Sequence, residues 1–486
     1  MNQRIGTPDL RATFVALLFI LGATIVRGEE ISFSVLAYFD QTNGAAPWGP
    51  LVQGRDGNFY GTTFSGGANT NFSPLGLGGP GYGTVFKMTP EGELTSLVSF
   101  QGTNGINPPA GLVEASDGNF YGITWYGGVS NLGTVFQITP AGTLMTLVSF
   151  VGTNGAWPRG GLVLGNDGSL YGSTRYGGAS FTDPRAQNFG GQPAGKGTLF
   201  KITTDGAFSI LYSFTPDTEG FQPFNTLVPG QDKKLYGTSF GGATADGFGM
   251  LFRVESDATV TTLFSFDLST GIESVALSQG RSGELFARTV RFDGAHPGAV
   301  LRITTNGVVT QQTPLDAEPN SNPAQPMIEG TDGGLYGTLA QSSSNRYGDV
   351  FRITLDGTFS IIFSFANTNG FGPDAPLIQA KDGSFYGTTV SGGHYSGYYG
   401  GGVIYRLTIP SAAAPVLRTP VRSAQGVALS WSAISGRIYQ PQFKTDLNQS
   451  TWTDLGAGIT APDRMAGTSD PGAVDAQRLY RLVMLP

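Results

Sequence analysis

Only two histidines stand in the 486 residues, His296 and His394. Imidazole titrates near neutrality and ligates metals readily, but no third ligand and no HxxxH spacing accompanies either one, so no metal site is expected. The chain has no cysteine, which excludes disulfides, thiolate catalysis and zinc-thiolate centres. Calcium is not expected either, because no Asp-x-Asp-x-Asp-Gly run exists. A glycosidase needs two carboxylates flanking the scissile bond. Glu114 and Glu329 occupy one position of a repeated unit that holds Gln53, Leu164, Pro229, Gln279 and Gln379 in the other copies. One further stretch gathers Arg288, Arg291, Asp293 and His296; it suits an acidic ligand, or it is a polar loop on a worn copy. No catalytic residue is nominated, and no cofactor is expected.

The elements that must position these groups come from a repeat. An Asp-Gly turn followed by an aromatic strand recurs as Asp56 with Tyr60-Gly61, Asp117 with Tyr121-Gly122, Asp167 with Tyr171-Gly172, Asp232 with Tyr236, Asp332 with Tyr336 and Asp382 with Tyr386. A degenerate copy, Ser282 with Phe286-Ala287, lies between the fourth and the fifth of these. The seven start at steps of 61, 50, 65, 50, 50 and 50 residues, a blade-sized period. Each unit holds four short β-prone runs, A to D, as in Gly111 to Ala115, Asn119 to Trp125, Gly133 to Thr139 and Thr143 to Phe150. Asp-Gly supplies the positive φ of a tight A-to-B hairpin, and the glycine after the tyrosine marks close approach by a neighbour. The recurrent aspartates are therefore read as turn formers.

The ends complement each other. Phe33 to Phe39 followed by Asp40-Gln41-Thr42-Asn43-Gly44 matches Leu94 to Phe100 followed by Gln101-Gly102-Thr103-Asn104-Gly105, a strand D with its exit loop. The last copy stops after a strand C, Val403 to Thr408. An N-terminal strand that completes the final unit hides the sheet edges. The predicted fold is all-β: a seven-bladed β-propeller closed by an N-terminal strand, over 29–409, then a linker at 410–415 and a small β-sandwich at 416–486. The repeated Asp-Gly-Asn-Phe-Tyr-Gly, Gly-Thr-Val-Phe, Thr-Pro and Leu-Val-Ser-Phe pattern over roughly residues 33 to 408 resembles the glycine-rich GloVer tandem repeats of bacterial choice-of-anchor proteins. That resemblance implies an exported or surface-associated propeller-like protein and brings no catalytic residue with it. Some such proteins end in a sorting anchor, whereas here no hydrophobic tail follows Tyr480, so attachment by the C-terminus is not expected. The last 70 or so residues, with Trp431, Tyr439, Trp452 and Tyr480 as expected core rings, are similar to fibronectin type III-like sandwiches.

Arg4, Arg11, the apolar run from Ala12 to Val26 and Gly28 have the layout of a secretory signal peptide over 1–28. The expected location is thus outside the cytoplasm, with no transmembrane segment in the mature chain. A formal charge of −7 without a basic run argues against nucleic acid as a partner. In this fold the Asp-Gly and C-to-D turns share one rim, where Glu114 and Glu329 are read as a solvated channel end. The B-to-C loops, which carry the insertions, lie on the other. Tyr60 is 23 residues before Gly83 and Tyr171 is 26 before Gly197, against 12 from Tyr121 to Gly133. Variable loops on one face mark a binding face or neutral drift. The expected contact residues there are Trp48, Trp125, Tyr126, Trp157, Tyr176, Arg291, His296, His394 and Tyr395, with Trp48 and Trp157 taken as equivalent. The first functional expectation is a non-catalytic module binding a polysaccharide, peptide or other cell-surface component. A carbohydrate-active enzyme, lyase or hydrolase, is the alternative, and a structural envelope protein is the third.

Overall fold

The computed structural model describes residues 31–72, 79–181, 187–188, 192–215, 221–223, 225–241, 248–267, 269–270, 273–290, 298–315, 325–341, 345–354, 357–393, 401–409, 417–423, 426–433, 438–446, 449, 451–461, 465–473 and 478–484. The expected signal segment and linker lie outside these residues. The described chain is all-β and antiparallel, and among the described residues no helix is long and apolar enough to cross a membrane.

Each repeat folds into its own meander. In sheet 2, Val113–Glu114, Phe120–Thr124, Thr134–Ile138 and Leu144–Ser149 follow one another as strands A, B, C and D. Sheets 1 and 3 to 6 repeat the order, and in sheets 3 and 4 a further short strand, Ala156–Pro158 or Phe221–Pro223, also pairs with strand B. Sheet 7 takes its fourth strand from the other end of the chain: Ser32–Tyr38 pairs antiparallel with Val403–Thr408, from Ser32 opposite Thr408 to Tyr38 opposite Val403. Strand B is buried along its whole length in sheets 1, 2, 6 and 7, because both of its faces meet protein.

Packing between sheets follows from ring size. Gly61 faces Phe86 across the B–C ladder, and a Cβ on Gly61 would stand 2.5 Å from the Phe86 ring. Gly122 and Phe136 repeat this, as do Gly172 and Phe200. The degenerate sheet 5 keeps the volume balanced by pairing Ala287 with the smaller Leu301. Between sheets, Tyr60 stacks on Phe120 at 4.1 Å, Phe59 on Tyr386 at 4.3 Å, and Tyr336 meets Phe385 at 4.4 Å. Buried apolar clusters join sheet 1 to 2, 2 to 3, 3 to 4, 4 to 5, 5 to 6 and 6 to 7. A further cluster joins sheet 7 to sheet 1 through Ala37, Phe39, Tyr386, Leu51 and Phe86.

The C-terminal region has two antiparallel sheets. One holds Val421–Ser423, Gly426–Ser432 and Met465–Asp470; the other holds Ile438–Lys444, Thr453–Asp454, Ile459–Thr460 and Leu479–Met484. Trp431 and Tyr439 form its buried core. Trp452 departs from its expected core role: it is half-buried between the Lys444 ammonium at 4.9 Å and the Arg481 guanidinium at 4.7 Å.

Candidate functional site

At the Asp-Gly rim the recurrent aspartate does more than turn the chain. Its Oδ2 accepts the hydroxyl of the strand-B tyrosine four residues on, at 2.8 Å for Tyr60 on Asp56, 2.6 Å for Tyr121 on Asp117, 2.9 Å for Tyr171 on Asp167 and 2.7 Å for Tyr236 on Asp232. A strand-C cation closes several of these locks, as Lys201 does on Asp167 at 2.7 Å and Arg352 on Asp332 at 2.5 Å. Burial opposes ionisation of Asp56, yet the hydrogen bonds from Asn58, Tyr60 and Lys87 outweigh it and hold its carboxyl at about 2. Burial and the Asp117 carboxylate together push the Tyr121 phenol up to about 12. The sequence offered a signal for this lock, the constant four-residue spacing, which a turn alone does not require.

Glu114 and Glu329, expected to be a solvated channel end, are corrected by their contacts. The Arg55 backbone N–H donates to Glu114 Oε2 at 3.2 Å, and the Arg281 N–H donates to Glu329 Oε2 at 2.6 Å. The same clasp is made by glutamine: Gln231 N–H to Gln279 at 3.0 Å, Thr331 N–H to Gln379 at 2.9 Å and Lys381 N–H to Gln53 at 3.0 Å. These acceptors tie each sheet to the one before it, so neither carboxylate is set up as an acid–base partner.

The opposite, loop-bearing end carries the concentration of unusual side chains. The segment that follows strand B of sheet 2 delivers Trp125 and Tyr126, strand B of sheet 3 delivers Arg175 and Tyr176, and the connections into sheets 1 and 3 deliver Trp48, Trp157 and Arg159. The connections are pinned by a left-handed residue, Ala46, Asn107, Trp157 or Gln222 in turn, with φ of 52° to 56°. This places Trp157 level with Ala46, and Trp48 level with Arg159, so the expected equivalence of the two tryptophans is off by two residues.

The rings form a continuous belt. Trp48 stacks on Phe64 at 3.9 Å, Phe64 meets Trp125 at 6.1 Å, Trp125 meets Trp157 at 6.3 Å edge-on, and Trp157 meets Tyr176 at 5.5 Å. Trp125, Tyr126 and Tyr176 are buried, while Trp48 and Trp157 are half-buried. The Arg159 guanidinium lies 5.2 Å over the Trp125 ring, and that of Arg175 lies 5.2 Å from the Tyr176 ring. Burial, together with repulsion from Arg175, lowers Arg159 to about 10. Trp125 Nε1 and Tyr126 Oη are buried without a hydrogen-bond partner. Neither arginine was among the expected contacts; their signal was a charge in a repeat position otherwise filled by Trp48 and Pro109, or by Phe64 and Trp125.

In sheet 7 the residue level with Arg159 is Asp374, two residues after the positive-φ Gly372. Burial pushes its carboxyl up to about 6. It is the one carboxyl among the described residues whose pKa is raised. Among those residues no group of three or more His, Asp or Glu side chains is arranged to hold a metal ion. The expected contacts Arg291, His296, His394 and Tyr395, with Asp293, lie outside the described residues.

The expectation of a non-catalytic face displaying its aromatics is corrected by their packing: the expected rings pack on one another as framework, since a buried indole is spent on its neighbours before a ligand arrives. Several solved structures resemble the chain in fold. A gluconolactonase from Xanthomonas campestris is 10% identical, with 79% of this chain and 95% of that one covered and a TM-score of 0.38. The PQQ-bound aldose sugar dehydrogenase of Streptomyces coelicolor is 15% identical, covering 78% and 98%, with a TM-score of 0.39. A luciferin-regenerating enzyme is 10% identical, covering 78% and 95%, with a TM-score of 0.37. At these identities the likeness is one of propeller-like fold. No curated protein matches the chain in sequence. The family model of the Gloeobacter/Verrucomicrobia repeat matches residues 24–184 and 244–428, which hold five of the six aspartate–tyrosine locks and the whole aromatic belt, and the chain belongs to that family.

Proposed function

We propose that the chain is an exported carbohydrate-active enzyme, a hydrolase of acidic polysaccharide that works at the loop-bearing end of a closed, seven-bladed ring. The observation that carries this reading is the pair Arg159 and Arg175, near enough to repel one another and each set against an aromatic ring. Two guanidinium groups beside flat apolar faces match a sugar that bears a carboxylate. In a ring of seven, sheets 3 and 7 face each other across the mouth. A polysaccharide held by its carboxylate at Arg159 and Arg175 then reaches Asp374. A carboxyl titrating at about 6 keeps its proton at mildly acid pH and gives it to the leaving glycosidic oxygen as that C–O bond breaks, while a water molecule from the open mouth bonds to the anomeric carbon and releases its proton to solvent. Closure of the ring is supported by the pairing of Ser32–Tyr38 with Val403–Thr408, by the cluster between sheets 7 and 1, and by the Lys381–Gln53 clasp. Residues 1–28 are assigned to export and 416–486 to a fibronectin type III-like sandwich.

The test is turnover of uronate-containing polysaccharides, read as new reducing ends and as ultraviolet absorbance of unsaturated products. Reducing ends without absorbance, lost in Asp374→Asn and in Arg175→Ala, are expected. Absorbance would mean a lyase, and no product from any acidic or neutral polysaccharide would refute an enzyme at this end.

A further inference from the structure

The strand-A side chain that makes the clasp has a second polar atom to place. Where it is glutamine, the amide nitrogen donates to the carbonyl of the glycine four residues on, in the sheet's own A-to-B turn: Gln53 to Gly57 at 3.2 Å, Gln279 to Gly283 at 2.7 Å and Gln379 to Gly383 at 2.9 Å. Glu329 holds this position in sheet 6. Its Oε2 accepts the Arg281 N–H, as the clasp requires, but a carboxylate has no proton to give. Its Oε1 and the carbonyl of Gly333, four residues on, are therefore two acceptors to which nothing donates among the described residues. Glu114, the other glutamate, has the Arg55 guanidinium 3.9 Å from its Oε1. Arg281 stands at the place of Arg55, but its side chain is exposed and makes no ion pair among the described residues.

Both Glu329 and Gly333 line a cavity of about 110 Å³ between sheets 5 and 6. Phe286 and Val300 of sheet 5 and Leu335 and Ile353 of sheet 6 give it apolar walls. The space follows from the degenerate copy. Ser282 stands for the turn aspartate and Phe286 for the tyrosine, and Thr313 lies opposite Val300 where sheets 3, 4 and 6 set the larger Tyr212, Phe264 and Phe363. Ser282 is exposed, so the cavity is reached from the Asp-Gly rim. Only two charged side chains line it, Arg302 and Glu329. The Arg302 guanidinium is already held by Glu284, with its Nε at 2.6 Å, which leaves the Glu329 carboxylate as the charge in the lining without a counter-charge.

We propose that this cavity binds a short-chain primary ammonium, its N–H groups taken by the Glu329 carboxylate and the Gly333 carbonyl and its aliphatic body by Phe286, Val300, Leu335 and Ile353. An ammonium carries three donors on a compact head. It supplies the N–H that the glutamine amide supplies in sheets 1, 5 and 7, and it offsets the charge that the amide does not have. The size fits, since a cavity of about 150 Å³ holds a molecule as large as benzene and a chain of about four carbons is smaller. The site is separate from the arginine pair of sheet 3 and stands whether or not that end is catalytic.

The experiment is thermal unfolding of the full chain titrated with butylammonium, with butanol, butyrate and tetramethylammonium for comparison, at constant ionic strength. The wild type is expected to show a saturable rise in Tm with butylammonium alone. Glu329→Gln, which installs the amide of sheets 1, 5 and 7, is expected to match or exceed the wild-type Tm without ligand and to weaken the apparent affinity at least about tenfold, the usual worth of a charge-assisted hydrogen bond. Val300→Phe, which fills the cavity and keeps the carboxylate, is expected to lose the rise; should that variant fail to fold, Glu329→Gln decides alone. An equal rise with any comparison compound would overturn the proposal: with butanol because no charge is read, with tetramethylammonium because no N–H is, and with butyrate because the sign is wrong. A wild type that does not respond to butylammonium, or a response that survives Glu329→Gln undiminished, would overturn it as well.

Discussion

Replacing Phe39 with alanine asks whether the N-terminal strand is a structural equal of the strands it imitates. Phe39 is 1% exposed and meets the Phe86 ring edge-on at 5.1 Å, in the cluster that joins sheet 7 to sheet 1. Phe100, which ends strand D of sheet 1, is fully buried and meets Phe136 in the same manner at 5.3 Å. Each backbone N–H donates to the carbonyl of the glycine that opens strand C, Phe39 to Gly402 and Phe100 to Gly83, both at 3.0 Å. With matched burial and matched geometry, both truncations lose the transfer free energy of a benzyl group and leave a comparable cavity. Each is expected to cost about 3–5 kcal/mol. Paired denaturant titrations of Phe39→Ala and Phe100→Ala are the assay, with the m-value watched for loss of cooperativity. Equal costs to within about 1 kcal/mol support a ring whose last seam is as strong as the others. A Phe39→Ala cost below about 1 kcal/mol beside a full cost for Phe100→Ala would refute the reasoning, because the N-terminal strand would then hang on the edge of sheet 7 without sealing it.

Glu114→Gln is expected to change stability by less than about 0.5 kcal/mol, since glutamine makes the same clasp in three sheets. Glu114→Ala leaves the Arg55 N–H without its acceptor and is expected to cost about 1 kcal/mol; equal losses for the two in urea titrations would sink the clasp assignment. Asp374→Asn has a pH signature. The folded carboxyl, at about 6, lies above its unfolded value, so its contribution to stability is present in acid and is lost as pH rises through about 6. The variant should therefore match the wild type near pH 4 and exceed its Tm above pH 6, and an unchanging difference across that window would contradict the burial argument. Asp56 and Asp167 behave oppositely: with folded values held at about 2, their contribution is present above about pH 4 and fades as pH falls toward 2. The double variant Asp56→Asn, Asp167→Asn should show a shallower acid transition by circular dichroism. Gly61→Ala should be strongly destabilising by itself and recover part of the loss with Phe86→Leu, the pairing that Ala287 and Leu301 already use; a double-mutant cycle without coupling would deny that pair its meaning.

The sequence made the architecture legible because its turns are chemical. Asp-Gly at a fixed phase and a glycine opposite a phenylalanine report backbone geometry that no side-chain swap imitates, and the complementary defects of the two ends pointed to the pairing of Ser32–Tyr38 with Val403–Thr408. The candidate site was far less legible. Aromatic residues such as Trp125 and Tyr176 look alike whether they greet a ligand or a neighbour, and only burial separates the two. The arginines carry little signal in the sequence, because each is one departure in a repeat that departs often. Glu114 and Glu329 misled for the opposite reason: a carboxylate can accept a backbone N–H from the next sheet as well as an amide can, and nothing in one copy reveals what stands beside it in another.

The same reasoning locates function in the departures from the repeat. A position that recurs around the array is answerable to packing, as the lock, made in six sheets, and the clasp, made in five, are. Arg175 and Arg288 are charges placed once, where the six other copies keep a hydroxyl or an apolar group, so the packing of the repeat does not dictate them. Arg159 and Arg175 reach partial exposure at the loop-bearing end, whereas Arg288 is buried.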